Sequence, residues 1–514
     1  MFHAIIFSGY PGTPLHPVAF KRPSGPHRIA TILRQLDWDV EVLDFILGWN
    51  IDQLKEFCKQ RITKNTVWVG FGGTFPIWNE NIPSLFKWIR TSYPNIKIVA
   101  GGQISNVLKI KADWYIRGFG ENAIIALCKH LVGNSLDKLK FRVHADGKKV
   151  IYANEDYAAY PMKSLKVSYQ SRDFIQHYET LNVELGRGCV FKCSFCNFPI
   201  LGVKEDHSRE ADDFYEELQS NHDLWGVSNY TLADETVNDY SAKLQKFAGA
   251  VKKLNFRPKL FGFARGDLFG SRKQDWDTML EMGFIGHHYG IESTNKASIK
   301  IVGKGNNPDQ VLSRILEGRS YMRKHGDYKA TMSFIVGLPY ETRESFSKTM
   351  DWIKQNWKHE SFMLFPLAIH KNNGQDNPSI MSNNYSQLGY KITKENLFEK
   401  IANDFNWIVT QYGTHDSLSD FNVISWENDE WNIYDVYKVI ANYYEPNVYN
   451  NISGPTIWTL INSMTTFNKP LDFYYDKTNL EIMAGYNEKN YFQYVRNQGV
   501  NEVNKYINYK LNWK

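Results

Sequence analysis

Residues 182–199 read NVELGRGCVFKCSFCNFP, and this stretch places three cysteines directly after a predicted β-strand. Cys189, Cys193 and Cys196 have the spacing C-x3-C-x2-C, so three thiolates can converge on one centre. Thiolates are soft ligands that favour zinc, copper(I) or iron–sulfur clusters, and three of them on a four-iron cluster leave one iron open to bind something else. The alternatives are a structural zinc site completed by His207 and three buried structural thiols.

From residue 181 to about residue 375 the chain alternates predicted strands with predicted helices. The strands lie in NVELGRG, YTLADE, LFGFARGD, IGHHYGIES, ATMSFIVGLP and SFMLFPLAIH. One of the helices places Phe346, Met350, Ile353 and Trp357 on a single stripe. Six such units predict a partial (βα)6 barrel of the TIM type, with its chemistry at the carboxyl ends of the strands.

An earlier alternation occupies residues 1–135. Apolar runs such as HAIIF, DVEVLDF, TVWVGF, KIVAGG and DWYIRGF are separated by amphipathic stretches. This pattern predicts a Rossmann-like, doubly wound parallel sheet with helices on both faces, in which ligands bind beyond the carboxyl ends of the strands. Glycines follow these strands, at Gly70, Gly72, Gly73, Gly101, Gly102, Gly118 and Gly120.

Two further segments complete the predicted α/β architecture. Residues 136–180 hold a β-hairpin with Asp146-Gly147 at its turn, followed by a loose connection to the barrel. Residues 376–514 form a mainly helical C-terminal region, which we expect to cover the substrate pocket.

The composition is that of a soluble globular enzyme. Sixty Lys plus Arg against 55 Asp plus Glu leave a net charge of +5 over 514 residues. This charge is too small to indicate a surface that binds nucleic acid. No apolar run is long enough to cross a bilayer, and MFHAIIFSGYPG lacks the pattern of a signal peptide. We therefore expect a cytoplasmic protein with neither nucleic acid nor membrane as partner.

The cysteine spacing, with Phe195 just before the last cysteine, resembles the signature of the radical S-adenosylmethionine (SAM) superfamily. TLADETVND, FARGD, YGIES and SFIVGLPYET, which follow at later strand ends, are similar in order and spacing to motifs of its cobalamin-dependent and methylthiotransferase-like branches. The resemblance covers about residues 181–370. It implies a [4Fe-4S] cluster that cleaves S-adenosylmethionine reductively and generates a 5′-deoxyadenosyl radical, with electrons from a reductase, flavodoxin or ferredoxin.

The resemblance also implies roles for individual residues. Cys189, Cys193 and Cys196 would hold the cluster, and Glu235 and Arg265 are the candidate catalytic residues. The candidate cofactor-binding residues of the barrel are Phe195, Asp234, Glu235, Arg265, Glu292, Ser293, Val336 and Gly337. The alternative for Arg265, Asp267 and Glu292 is a structural salt bridge at a strand end. Tyr340 replaces the usual glycine of the family, so we expect that turn to take a different conformation.

The first domain resembles the cobalamin-binding domain that precedes the barrel in many members of the superfamily. Gly72, Gly73, Gly101 and Gly102 would let a corrin approach the backbone. The Asp-x-His-x-x-Gly motif that supplies a cobalt ligand is missing, and His16 and His27 lack its spacing. The alternative is a Rossmann-like domain without a corrin.

The resemblance therefore predicts a radical SAM enzyme, and in particular a cobalamin-dependent methyltransferase acting on a small molecule or a peptide. The alternatives are a cobalamin-free radical SAM enzyme that catalyses a rearrangement or bond cleavage, and a non-catalytic scaffold. A methylthiotransferase acting on tRNA needs a second cluster, for which only Cys58 and Cys128 remain.

Overall fold

The computed structural model describes residues 1–9, 22–72, 81–102, 111–133, 138–162, 165–198, 200–305, 307–357, 361–370, 379–405, 423–444 and 488–513. The chain divides into two units. The first comprises Met1–Asn182, Asp223–Val227 and Phe492–Lys514, and the second Val183–His222 and Ser228–Tyr491.

The first unit is built on a seven-stranded sheet in the order β2-β1-β3-β4-β5-β7-β6, parallel except for β6. Its strands are β1 Phe2–Ser8, β2 Trp38–Leu43, β3 Thr66–Gly72, β4 Lys97–Gly101, β5 Trp114–Arg117, β6 Arg142–Val143 and β7 Lys149–Tyr152. Its helices are α1 Ser24–Arg34, α2 Ile51–Arg61, α3 Asn81–Ser92, α4 Glu121–Leu131 and α5 Ala153–Asp156. Apolar side chains cover both faces of the sheet, as expected for a doubly wound fold.

The second unit is built on a six-stranded sheet whose strands follow chain order, each paired in parallel with the next wherever a register is defined. The strands are β8 Thr180–Val183, β9 Asn229–Leu232, β10 Lys259–Arg265, β11 Phe284–Glu292, β12 Lys329–Val336 and β13 Ser361–Pro366. The helices between them are α6 Ala211–Trp225, α7 Ser241–Val251, α8 Gly266–Ser271, α9 Asp275–Met282, α10 Lys296–Val302, α11 Pro308–His325 and α12 Arg343–Asn356. This arrangement confirms the predicted α/β class with its partial barrel.

Local sequence accounts for these helices. The α12 helix begins at a capping box on Thr342, and its predicted stripe of Phe346, Met350 and Ile353 is buried, together with Trp357. The helix α11 ends at His325, followed by Gly326, as the sequence predicts.

The C-terminal part of the chain is mainly helical where it is described. Its elements are α13 Ile380–Asn383, β14 Lys391–Ile392, α14 Leu397–Asp404, β15 Trp426–Glu427, α15 Ile433–Tyr444 and α16 Glu488–Asn512. None of the described helices is long and apolar enough to span a membrane.

Two segments differ from their expected places. The hairpin of residues 142–152 extends the first sheet, because β7 pairs in parallel with β5. The end of α16 belongs to the first unit, where Tyr506 packs in the apolar cluster beneath the sheet and Lys510 Nζ donates to Glu41 Oε1 at 2.6 Å. The covering role of residues 376–514 stays a prediction.

A buried ionic network connects the expected linker to the first unit. Arg22 donates to Asp44 Oδ2 at 2.6 Å and forms a bidentate pair with Glu179, and its guanidinium lies over the rings of Phe45 and Tyr506. Asp44 N donates to the Tyr506 hydroxyl across 462 residues of chain. A paired Arg–carboxylate group of this kind is costly to break, so it holds the linker and α16 on the first unit.

Candidate functional site

The three cysteines lie on the loop that follows β8, at the carboxyl end of the second sheet. Cys189 N donates to Ile200 O at 3.0 Å, and Gly202 N donates back to Cys189 O at 2.6 Å. Gly188 and Gly202 have φ values of +98° and +71°, a region that glycine enters at little cost. The backbone therefore closes the cysteine loop on itself.

All three thiols are free, and those of Cys189 and Cys193 are buried, whereas Cys196 is half-buried. Burial raises the pKa of the Cys189 thiol and raises the pKa of Cys196 to about 11. Such thiols become thiolates where a metal supplies the compensating positive charge. The donor set therefore fits a metal–sulfur group.

Zinc and an iron–sulfur cluster make different demands on these thiols. A zinc ion needs four ligand atoms within about 2.0–2.3 Å of one point, whereas each thiolate of an iron–sulfur cubane binds its own iron. Within the described ranges, no three His, Cys, Asp or Glu side chains converge on a single-ion site. His207, the fourth ligand of the zinc alternative, has its Nε2 3.1 Å from the Asp239 carboxylate.

Arg265, the last residue of β10, reaches the cysteine loop. Its Nη1 donates to Cys193 Sγ at 3.4 Å, and its guanidinium lies 3.9 Å from the centroid of the Phe191 ring. Its Nε and Nη2 donate to the two carboxylate oxygens of Asp267 at 3.0 and 2.8 Å. The structure thus places Arg265 in the salt bridge that the sequence left as an alternative, and its contact with a cofactor carboxylate stays a prediction.

Asp234 and Glu235 follow β9. Asp234 Oδ2 accepts a hydrogen bond from Leu185 N at 2.8 Å, which joins the ends of β8 and β9, and burial raises its pKa to about 7. Burial also raises the pKa of Glu235, which is half-buried and accepts a hydrogen bond from the Gly188 backbone. Glu235 therefore lies beside the cysteine loop, and the cofactor and catalytic roles of both residues stay predictions.

Glu292 ends β11 with a φ of +70°, which costs a non-glycine residue about 1–2 kcal/mol. Lys304 Nζ lies 3.1 Å from Glu292 Oε1 and donates to Gly290 O at 3.1 Å. Backbone strain at the carboxyl end of a strand is typical of functional sites. Sequence reasoning missed Lys304, although its place in GKG directly after α10 is visible in the chain.

Glu341, which sequence reasoning also missed, connects the ends of β11 and β12. Ser293 Oγ donates to Glu341 Oε1 at 3.0 Å, and Gly337 N donates to Glu341 Oε2 at 2.8 Å. Val336, the last residue of β12, accepts from Leu367 N at 3.0 Å. The three predicted cofactor residues of these strand ends are therefore held by the protein's own hydrogen bonds, and their contact with a cofactor stays a prediction.

The pKa of Glu341 yields a testable pH dependence. Burial raises this pKa to about 7, so the contribution of the protonated carboxyl to stability is fully present below its usual pKa of about 4.3 and is lost as the pH rises through about 7. We expect this group to remove on the order of 3 kcal/mol from the free energy of unfolding of the second unit between pH 4 and pH 8. A Glu341→Gln variant should lack this loss in denaturant titrations across that range.

Asp234 provides the internal reference for that measurement. Its raised pKa is present in both proteins, so the difference between the two pH curves isolates Glu341. Parallel curves for the variant and the wild type would contradict the prediction.

Tyr340 has a φ of +65° and is 64% exposed. The turn thus takes the left-handed backbone that favours glycine, although a tyrosine stands there. Phe195 is half-buried on the cysteine loop, and its place beside an adenine stays a prediction.

In the first unit, packing explains some of the glycines. A Cβ at Gly72 would lie 2.9 Å from Pro26 Cγ, and Gly102 has a φ of +128°. At Gly101 the nearest atom to a Cβ, Phe71 O, would be 3.9 Å away, so there the glycine leaves room. Gly73 lies outside the described residues.

The reversal of strand order at β1 and β3 marks the edge where α/β sheets bind ligands. Ser8, which ends β1 in register with Gly72, has a fully buried hydroxyl with no hydrogen-bond partner in the described part of the chain. An unsatisfied buried hydroxyl costs about 1–3 kcal/mol, so this edge fits a ligand that supplies a hydrogen bond. His27 Nε2 lies 2.9 Å from Asp44 Oδ2, whereas its buried Nδ1 has no hydrogen-bond partner in the described part of the chain.

Comparison with known proteins agrees with this geometry. Residues 183–353 match the sequence profile of the radical SAM superfamily. An uncharacterized methyltransferase, PH0819 of Pyrococcus horikoshii, is 25% identical over 173 residues, which are 34% of this chain and 36% of that protein. A tRNA-2-methylthio-N(6)-dimethylallyladenosine synthase of Bifidobacterium longum is 23% identical over 348 residues, 63% of this chain and 66% of that protein. The chain thus spans little more than a third of the first relative.

Among solved structures, the fold is similar to that of the radical SAM methyltransferase TsrM from Kitasatospora setae, which was solved with cobalamin and a [4Fe-4S] cluster bound. The TM-score is 0.56 at 14% sequence identity, and the match covers 77% of this chain and 78% of TsrM. The similarity therefore extends over both units of the fold. Together with the cysteine loop, the profile match confirms that residues 183–353 form a radical SAM domain.

Proposed function

We propose that this protein is a cobalamin-dependent radical SAM methyltransferase. The observation that carries the proposal is the loop of three free thiols at the carboxyl end of β8, held to β10 through the contact of Arg265 with Cys193. Support for methyl transfer comes from the similarity to PH0819 and from the fold shared with TsrM.

The chain's own residues have distinct parts in this proposal. Cys189, Cys193 and Cys196 hold a [4Fe-4S] cluster, and Arg265 positions the loop that carries them. Glu292 and Lys304 present a charged pair at the neighbouring strand end. The bound groups supply the chemistry, which is reductive cleavage of S-adenosylmethionine at the cluster and carriage of a methyl group by cobalamin.

The first unit would hold the corrin at the carboxyl ends of β1, β3 and β4. Among the described residues, the nearest atom to a Cβ at Gly101 would be 3.9 Å away, and the Ser8 hydroxyl has no hydrogen-bond partner. We propose that cobalt has no protein imidazole as ligand, because the Asp-x-His-x-x-Gly motif is missing from the sequence.

The test is to purify the protein from cells supplied with hydroxocobalamin, reconstitute it anaerobically and record its visible spectrum. We expect corrin absorption at about one cobalamin per chain. With a low-potential reductant and candidate substrates we also expect 5′-deoxyadenosine or S-adenosylhomocysteine by chromatography. An intact cluster without any corrin would exclude the methyltransferase. Absence of both products would contradict radical SAM chemistry.

A radical SAM enzyme without cobalamin is the second candidate. It is favoured by the finding that packing and backbone geometry already account for Gly72 and Gly102. Methylthiolation is less supported, because Cys58 and Cys128 are buried in different apolar clusters, where burial raises the pKa of each thiol to about 12. Neither thiol is placed to ligate a second cluster.

A further inference from the structure

Three segments of the second unit meet at Ser194, which lies between two of the cluster cysteines. Ser194 N donates to Val302 O at 3.2 Å, and Ser194 Oγ donates to Ile301 O at 3.1 Å. Met381 N donates to Ser194 O at 2.7 Å. The end of α10 and the start of α13 are therefore hydrogen-bonded directly to the cysteine loop.

These segments have an unusual charge. Residues 187–204, 296–305 and 379–390 contain six Lys and Arg but no Asp or Glu, whereas the whole chain has a net charge of only +5. Arg187 and Lys304 pair with Glu184 and Glu292. The other four are exposed and form no ion pair within the described ranges: Lys192, Lys204, Lys296 and Lys300.

Apolar side chains are exposed among these lysines. Ile301 and Ile380, which neighbour the contacts of Ser194, are 38% and 49% exposed, and Phe198 on the cysteine loop is 47% exposed. Exposed apolar groups within a charged rim are typical of protein–protein contacts, and weak redox encounters use small surfaces of this kind. Phosphate backbones, in contrast, are bound by charged and polar groups.

We propose that this surface, defined by Lys192, Lys296, Lys300, Ile301 and Ile380, docks an acidic one-electron protein donor of the flavodoxin or ferredoxin class. This inference rests on the proposed function. One electron leaves the flavin or iron–sulfur centre of the donor, which is oxidised, and enters the cluster, which is reduced; no proton or group is transferred. Because Ser194 contacts both α10 and α13, a donor seated here lies against the backbone that carries Cys193 and Cys196.

The experiment compares two doubly substituted proteins that have the same change in charge. Lys296→Glu with Lys300→Glu reverses the exposed face of α10. Lys259→Glu with Lys324→Glu makes the same change at the first residue of β10 and in the last turn of α11, which leads into β12 at the opposite end of the sheet. Cluster reduction is followed by the loss of visible absorbance, with either purified reduced flavodoxin or dithionite as reductant.

We expect the α10 variant to be reduced by flavodoxin at least about 10-fold more slowly than the wild type at low salt, and the difference to shrink as salt is added. Dithionite should reduce all three proteins at the same rate. Titration calorimetry without S-adenosylmethionine should show that the α10 variant binds flavodoxin more weakly, whereas the control variant binds normally.

The outcomes that contradict the docking surface differ from the outcome that contradicts the proposed function. Equal flavodoxin rates for the α10 variant and the wild type would overturn the docking surface and leave the proposed function intact. Weaker binding of tRNA with unchanged binding of flavodoxin would overturn it in favour of a nucleic-acid surface. If dithionite-reduced protein fails to cleave S-adenosylmethionine, the proposed function fails, while the calorimetry still tests the surface.

Discussion

A Cys193→Ala variant is expected to retain less than one iron per chain after anaerobic reconstitution, against about four in the wild type. The remaining two thiols cannot hold three irons of a cubane, and burial already disfavours their thiolate forms. Cleavage of S-adenosylmethionine should fall below detection. Iron, sulfide and zinc analyses of the same samples measure the effect.

The chain offers matched controls for this experiment. Cys58→Ala and Cys128→Ala also remove a buried thiol, but in the apolar clusters of the first unit, and both should keep the full iron content. Zinc in place of iron in the wild type would contradict the cluster. Loss of iron in all three variants would indicate a general folding defect.

An Arg265→Lys variant is expected to keep its cluster and to cleave S-adenosylmethionine about 10–100-fold more slowly, the usual cost of losing an outer partner of a metal ligand. Lysine retains the charge, but it cannot form the bidentate pair with Asp267 while also donating to Cys193 Sγ. Without that N–H donor the reduced cluster is less stabilised, so its midpoint potential should become more negative.

Potentiometric titration followed by electron paramagnetic resonance measures this shift, which a merely structural role would not produce. The control is Arg272→Lys, because Arg272 donates to the carbonyls of Asn238 and Asp239 and has no described contact with the cysteine loop. An unchanged potential in Arg265→Lys would show that its hydrogen bond to Cys193 does not influence the cluster.

Local patterns predicted much of the fold, because strand and helix periodicities depend only on neighbouring residues. Most strands of both sheets lie where the apolar runs placed them, although β8 ends at Val183, early in the run NVELGRG, and α12 buries its predicted stripe. The hairpin of residues 142–152 was also recognised from Asp146-Gly147. The pairing of this hairpin with β5 was not recognised, because the place where a hairpin joins a sheet depends on which strand edge is free after folding.

The candidate site was also only partly predictable from the sequence. The cysteines and the strand-end motifs carry their chemistry in the residue types themselves, so they were visible in the chain. The partners of those residues were not: Glu341 lies 48 residues from Ser293, and Cys193 lies 72 residues from Arg265. No local pattern specifies such pairs, because each depends on the alignment of two strand ends.

The sequence by itself determined the α/β class and the spacing of the three cysteines, and its motifs carried the resemblance of residues 181–370 to the radical SAM superfamily, since these depend on local periodicity and on adjacent residues. Only the tertiary structure decided that α16 joins the first unit through Tyr506 and Lys510, that Arg265 binds Asp267 and Cys193, and that α10 and α13 are hydrogen-bonded to Ser194. The physical reason is that burial and electrostatic pairing depend on distances in space. Residues hundreds of positions apart in the sequence come close enough to interact only when the chain has folded.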